Sequence, residues 1–510
     1  MDHAPRGSEA FFGIAMSKIK KLASETAIYG LGSIIPRFLN FLLFPLHTRV
    51  FDPAAYGAIS YLYVFVAFLN IVYTFGIETA YFRYATKQDS NPEQVFKIAQ
   101  TGVLLISSVL SLLFIIFSEP LSHALDIPGK SHYIVILAVV MFIDAAVAIP
   151  FARLRLEKKA LQFAFAKIIN VLILVGLNIY FFLVAYWLAV QHISFDFQAI
   201  AVYLQHSPYG IEYVFIANLI ANIFYLFFFF KLLIRWRPVF DKQVLPAMLN
   251  YAYPIMLTGL AGMTNEMFSR WTLEWWLPEN FYPGKSSLYA LGVFAACYKY
   301  AVLMSLAIQA FRFAAEPFFL SEAREQNSPQ LFATVNHYFI IVCSFILLAV
   351  TINMDILKYL LGGEAYYAGL NVVPILMLGY LFLGIYYNFS VWFKLTDRTY
   401  YGTIITASGA ALTIALNFIL IPIAGYMGSS WASLLCYFSM AVACYFLGQK
   451  YYPIPYKVLR SAFYIALACL LIWFSSSYTP SALSLAVFFH LMLMLFFAAT
   501  TYLFEKFIKE

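Results

Sequence analysis

Charge is what this sequence has least of. Asp, Glu, Lys and Arg make up 11% of its 510 residues, where an ordinary soluble domain carries roughly 25%. With 63% hydrophobic residues, too little polar surface remains to clothe a water-facing exterior, and the excess must face lipid. Cysteine is also scarce. Cys297, Cys343, Cys436, Cys444 and Cys469 all lie in apolar runs, with no Cys-x-x-Cys pair and no neighbouring histidine cluster. That argues against a metal centre and a disulfide framework, and leaves small buried hydrophobes. The chain lacks a Gly-x-x-x-x-Gly-Lys-Ser/Thr loop to cradle nucleotide phosphates and a His-Glu-x-x-His metal site. No cofactor is expected beyond a coupling H+ or Na+. Residues 1–15 are too weakly apolar for a signal peptide, and Met16 opens a second candidate start with a basic flank.

What is abundant is long apolar runs. A spanning helix needs about 20 mostly apolar residues. That window predicts an all-α polytopic membrane protein with about fourteen transmembrane helices, at 24–48, 54–84, 95–118, 132–153, 163–190, 210–232, 245–277, 287–312, 330–352, 367–393, 399–421, 425–448, 458–475 and 482–505. The spans divide as six, six and two. The expected organisation is a cytoplasmic segment 1–23, an N-lobe 24–235, a C-lobe 236–448, and a final helix pair with a cytoplasmic tail at 449–510. Tyr56-Gly57-Ala58 opens the second span, and Leu291-Gly292-Val293 echoes it 235 residues later, near the start of the eighth. Such an echo suits transporters built from two repeats.

The basic residues orient the bundle. If the N-terminus is cytoplasmic, 25 of the 32 Lys and Arg fall on cytoplasmic loops and helix ends and four on the other side. This is the positive-inside pattern, with both termini in the cytoplasm. It also accounts for the net charge of +7 without nucleic acid as a partner. The longest outer loop, about 191–209, has no Lys or Arg, and no loop is large enough for an extramembrane catalytic domain.

The other three cations, Arg37, Arg270 and Lys299, fall inside spans. A charge at membrane depth faces a cavity or a partner. Arg37 and Lys299 have no acid at helical spacing, so each either contacts an anion in a cavity or pairs with another helix. Asp144, alone in the fourth span, could be that partner or a proton or cation site. Arg270 has Glu266 and Glu274 four residues to either side, close enough to neutralise it within its helix. Asn40, Asn265 and Glu266 are candidate polar groups of the cavity. Arg83 and Arg312 sit at helix ends, where snorkelling explains them as well as a ligand does, with Glu78 and Glu316 as expected partners. His47 and Arg49 are expected at the membrane interface. Arginine supplies both charge and a planar hydrogen-bonding fork to phosphate groups.

The opening LASETAIYGLGSIIPRFLNFLLFPLHTRVFDPAAYGAISYLYVFVAFLNIVYTFGIETAYFRYA resembles the start of polysaccharide-biosynthesis flippases of the Wzx type. The resemblance rests on a polar first helix, the turn Asp52-Pro53-Ala54-Ala55-Tyr56-Gly57, and a long second helix ending near Gly76-Ile77-Glu78. Ala314-Ala315-Glu316-Pro317 gives softer support. The layout is similar to that of the multidrug/oligosaccharidyl-lipid/polysaccharide (MOP) flippase superfamily. This implies two pseudo-symmetric six-helix lobes around a cavity opening alternately to each side, in a monomer of the bacterial inner membrane. It implies a polyprenyl-pyrophosphate-linked oligosaccharide as substrate, with Arg37, Arg270 and Lys299 on helices that border the cavity in relatives. A lipid II flippase and a cation-coupled multidrug exporter share the superfamily and stay open. A membrane polysaccharide polymerase or ligase fits less well, for want of a large outer loop.

Overall fold

The computed structural model describes residues 28, 30–88, 90–184, 210–322, 328–480 and 482–507. The segment 1–23 and the outer loop 191–209 lie outside the described residues. In chain order the main helices are α1 (30–41), α2 (Leu43–Val50), α3 (Pro53–Thr74), α4 (Ile77–Ala85), α5 (Pro92–Ile116), α6 (Ser118–Ala124), α7 (Ser131–Leu156), α8 (Ala160–Ile179), α9 (Glu212–Phe228) and α10 (Phe230–Arg235). They continue as α11 (Val244–Trp276), α12 (Ser287–Glu322), α13 (Ser328–Ile352), α14 (Val372–Phe389), α15 (Tyr400–Tyr451), α16 (Val458–Tyr478) and α17 (Leu483–Phe507).

The helix boundaries follow local chemistry. Asp52 caps α3 by accepting from the Ala55 amide at 2.8 Å, with Pro53 at the first helical position. Asn91 and Pro92 do the same for α5. Asp241 accepts from the Gln243 and Val244 amides at 2.9 and 2.8 Å just before α11, and those bonds hold its carboxyl below the usual range. The second predicted span is two helices, because Phe75 (φ 51°) and Gly76 (φ 71°) break it in left-handed conformations. The fifth ends, within the described residues, in a π-helical turn at Tyr180–Val184.

Among the described residues, eleven helices are long and apolar enough to cross a membrane. One of them, α15, has 52 residues and a non-helical Gly425 at its middle. At 1.5 Å per residue it runs roughly 78 Å, more than twice the ~30 Å hydrocarbon core. It therefore corresponds to the separately predicted spans 399–421 and 425–448. The shorter α9 is apolar as well, whereas α1 and α2, the polar first span, fall outside this criterion. The protein is an all-α, multi-pass membrane protein. Its outer surface is that of a lipid-solvated bundle, with Leu459 88% and Phe507 80% exposed.

The helices sort into two groups. In the first, α7 packs on α3, α5 and α9, and α8 on α9. In the second, α15 packs on α11 and α14, and α14 on α12 and α13. Helices α16 and α17 lie against α13. The groups meet where α3 runs beside α11 and α12.

Candidate functional site

Two cavities lie against α11 and α12, and Met267 of α11 lines both. The first encloses about 320 Å³. Asn40 and His47 reach it from α1 and α2, Tyr56, Ser60 and Tyr63 from α3, Asn178 from α8 and Asn218 from α9, with Arg270 on α11 and Lys299 on α12. Among the described residues its lining contains two fixed cations and no carboxylate.

The Arg270 guanidinium lies 4.2 Å from the centre of the Tyr298 ring and forms no ion pair with Glu266 or Glu274, against the neutralisation expected from their spacing. A flat aromatic face on the neighbouring helix meets the planar fork instead. Its Nε is buried without an acceptor among the described residues. Lys299 makes no ion pair among the described residues either, and this excludes Asp144 as its partner. His47 is buried in the cavity wall, and its Nε2 meets the Asn178 Oδ1 at 2.7 Å. Arg49 donates to the Tyr359 carbonyl at 3.1 Å.

The second cavity encloses about 560 Å³ and is lined by residues that include Arg37, Glu266, Ser305, Gln309, Arg312, Glu316, Tyr380 and Tyr387. Arg37 hydrogen-bonds the Gln309 side chain and so links α1 to α12. The Arg312 guanidinium lies 3.8 Å over the Tyr387 ring, and Glu316 pairs with Lys394. Glu78 pairs with Arg155, while Arg83 stacks on Tyr251 at 4.2 Å. The expected Glu78–Arg83 and Glu316–Arg312 pairs are thus replaced by aromatic stacking of each arginine and pairing of each acid across helices.

Asn265 is turned away from both cavities. It donates to the Thr406 carbonyl at 3.1 Å, accepts from the Thr413 hydroxyl at 3.2 Å, and sits 5% exposed in the α11–α15 seam. It is one residue from Glu266, hence about 100° around the helix. Asp144 also lines neither cavity. It accepts from the Asn222 amide at 3.0 Å, Asn222 in turn accepts from Asn170 at 3.1 Å, and the cation whose charge acts on it is Lys167. Lys167 lies 4.2 Å over the Phe151 ring.

Of the residues singled out from sequence, Arg270, Lys299 and Asn40 therefore share one cavity, and Arg37 and Glu266 the other. Sequence reasoning missed His47, Gln309 and Arg312 as cavity residues. The four-residue periodicity from Ser305 through Gln309 on α12 was the available signal.

This arrangement of helices is the fold of solved membrane transporters. Solved structures that share the fold include the following. A structure described as the lipid II flippase MurJ in an inward closed conformation has a TM-score of 0.69 at 15% identity, covering 93% of this chain and 99% of that one. An inward-facing multidrug resistance MATE family transporter has a TM-score of 0.61 at 14% identity, over 83% and 94% of the two chains. A variant of a Vibrio cholerae MATE transporter has 0.57 at 16%, over 85% and 97%. No curated protein matches by sequence. Residues 46–354 match the family model described as "Polysaccharide biosynthesis protein", and the chain belongs to that family.

Proposed function

We propose that this protein is a flippase that moves a polyprenyl-pyrophosphate-linked oligosaccharide across the bacterial inner membrane by alternating access, for surface polysaccharide synthesis. The observation that carries this reading is the first cavity, where Arg270 and Lys299 stand together with no carboxylate in the described lining. Two phosphates with spread negative charge complement two cations in a partly dehydrated space, where such contacts strengthen. Asn40, Asn178, Asn218 and Tyr63 add uncharged hydrogen-bonding groups around them. The family supports a glycan substrate.

In this reading the protein acts as a monomer and catalyses no covalent chemistry. Both termini are cytoplasmic, and 24–235 and 236–448 are the two moving lobes, with 449–510 as an added helix pair. The polyprenyl tail stays in lipid while the head group crosses. Asp144, with Asn222 and Asn170 around it, is the proposed site for H+ or Na+ coupling within the first lobe.

Lipid II is the second reading, because MurJ shares the fold over nearly the whole chain and lipid II has the same diphosphate chemistry. A drug exporter is disfavoured by two cations in a cavity that would have to bind a cation. The deciding experiment is deletion of the gene. Loss of surface glycan with accumulation of its lipid-linked precursor on the cytoplasmic face supports the first reading. Lysis with accumulation of lipid II supports the second, and neither phenotype rejects both.

A further inference from the structure

The second cavity is chemically unlike the first. It carries two arginines and two carboxylates, with Ser305, Gln309 and two tyrosines around them. Three of its four charges are engaged. Arg37 is held by Gln309, Arg312 lies on Tyr387, and Glu316 pairs with Lys394. Glu266 alone among the four has no ion pair and no side-chain hydrogen bond to the described residues, and its side chain is exposed to the cavity. A carboxylate inside a membrane-embedded bundle is costly, and its place there calls for a hydrogen-bonding occupant.

Position says which occupant. Glu266 and Arg270 are one turn apart on α11, about 6 Å along the axis. On α12, Lys299 lines the first cavity and Ser305, Gln309 and Arg312 the second, the step from Lys299 to Arg312 being about 20 Å. A ligand whose diphosphate rests on Arg270 and Lys299 therefore brings the group attached to that diphosphate level with Glu266, and whatever follows into the larger space beyond. That space has donors, acceptors and flat aromatic walls, as a chain of hydroxylated rings requires.

We propose that the second cavity is the glycan compartment, and that Glu266 selects the substrate by accepting hydrogen bonds from donor groups of the sugar nearest the diphosphate. This rests on the lipid-linked glycan reading above. Arg37 and Arg312 offer later rings only the donors left over from Gln309 and Tyr387, so the two cavities divide the labour: the first holds the diphosphate common to all such lipids, and the second tells one glycan from another. A buried site built to hydrogen-bond a substrate group rejects ligands that lack it.

The test measures binding to the full chain in lipid nanodiscs. The probes are bare polyprenyl diphosphate and a set of polyprenyl diphosphates each carrying one defined mono- or disaccharide. The wild type is expected to bind at least one sugar-bearing lipid about tenfold more tightly than the bare lipid, one charged hydrogen bond being enough for that ratio. Glu266→Gln should erase the increment without weakening the binding of bare lipid, since it removes a negative charge near the diphosphate, and Glu266→Asp should restore part of it. Arg270→Ala should weaken every probe. A wild type that binds bare lipid as tightly as every sugar-bearing one overturns the proposal, as does a Glu266→Gln loss that falls equally on all probes. If no probe binds, or Arg270→Ala changes nothing, the underlying functional reading fails instead.

Discussion

Gly57 and Gly292 press backbone against backbone where α3 crosses α12. A Cβ on Gly57 would lie 1.9 Å from the Leu288 carbonyl oxygen, and one on Gly292 would lie 1.7 Å from that of Pro53. The contact is reciprocal, since Pro53 precedes Gly57 by four residues as Leu288 precedes Gly292. The echo between Tyr56-Gly57-Ala58 and Leu291-Gly292-Val293 thus marks the two sides of one local pseudo-twofold crossing. Only residues without a side chain let the two backbones come this close.

Gly57→Val should therefore force α3 and α12 apart. Overpacking a tight site costs about 1–3 kcal/mol, and here the obstacle is backbone, which cannot rotate away. The variant should melt several degrees lower in detergent and lose export. Gly176 in α8 supplies the control, because a Cβ there would meet nothing within 4 Å. Gly176→Ala should leave the melting temperature unchanged or raise it. Equal effects of the two substitutions would remove the crossing as the cause.

A second set of contacts ties the same end of the molecule. The Tyr366 hydroxyl donates to the Phe51 carbonyl at 2.8 Å, and the Gly362 amide donates to the Thr48 hydroxyl at 3.1 Å. Both join the segment between α13 and α14 to the end of α2. Any motion that parts the two helix groups here breaks these bonds. Tyr366→Phe removes one buried bond, worth about 1 kcal/mol, and should increase reagent access to a thiol placed at Thr48. No change in labelling rate would show that the segment does not restrain this end.

The broad fold was legible because lipid imposes a length and an apolar composition on each span, and the break at Gly425 fell where the predicted spans 399–421 and 425–448 part. The site was legible by depth but not by direction. Hydropathy places Asn265 and Glu266 side by side in one polar span, yet the first is used up in the α11–α15 seam and the second faces a cavity. Arginine partners were missed for a related reason. Spacing along one helix suggests Glu78 for Arg83 and Glu316 for Arg312, but tyrosines on neighbouring helices take both arginines, and only the packed bundle brings those rings into place.

Arg37 and Gln309 offer a double-mutant test of the link between α1 and α12. If the bond matters, Arg37→Ala and Gln309→Ala should each impair export, and the double substitution should cost little more than either. Arg37→Lys keeps the charge but loses the planar fork, so it should restore only part of the activity. Fully additive losses would mean that the two side chains act separately.

Lys299 and Asn265 make the sharpest contrast between a residue that serves a ligand and one that serves the fold. Lys299 lines the first cavity without an ion pair among the described residues, so Lys299→Ala removes a charge that the folded protein does not otherwise use. It should leave expression, insertion and melting temperature close to wild type while abolishing most export of surface glycan in a strain lacking the native protein. Asn265 holds α15 through Thr406 and Thr413. Asn265→Ala strands the buried Thr413 hydroxyl and takes a second hydrogen bond from the Thr406 carbonyl, at about 1–3 kcal/mol for the hydroxyl left unsatisfied. It should lower the melting temperature while the protein that remains folded binds polyprenyl diphosphate as wild type does. If Lys299→Ala instead destabilises the protein as Asn265→Ala does, its charge belongs to the packing of α12, and the first cavity keeps Arg270 as its one anion-binding residue among those described.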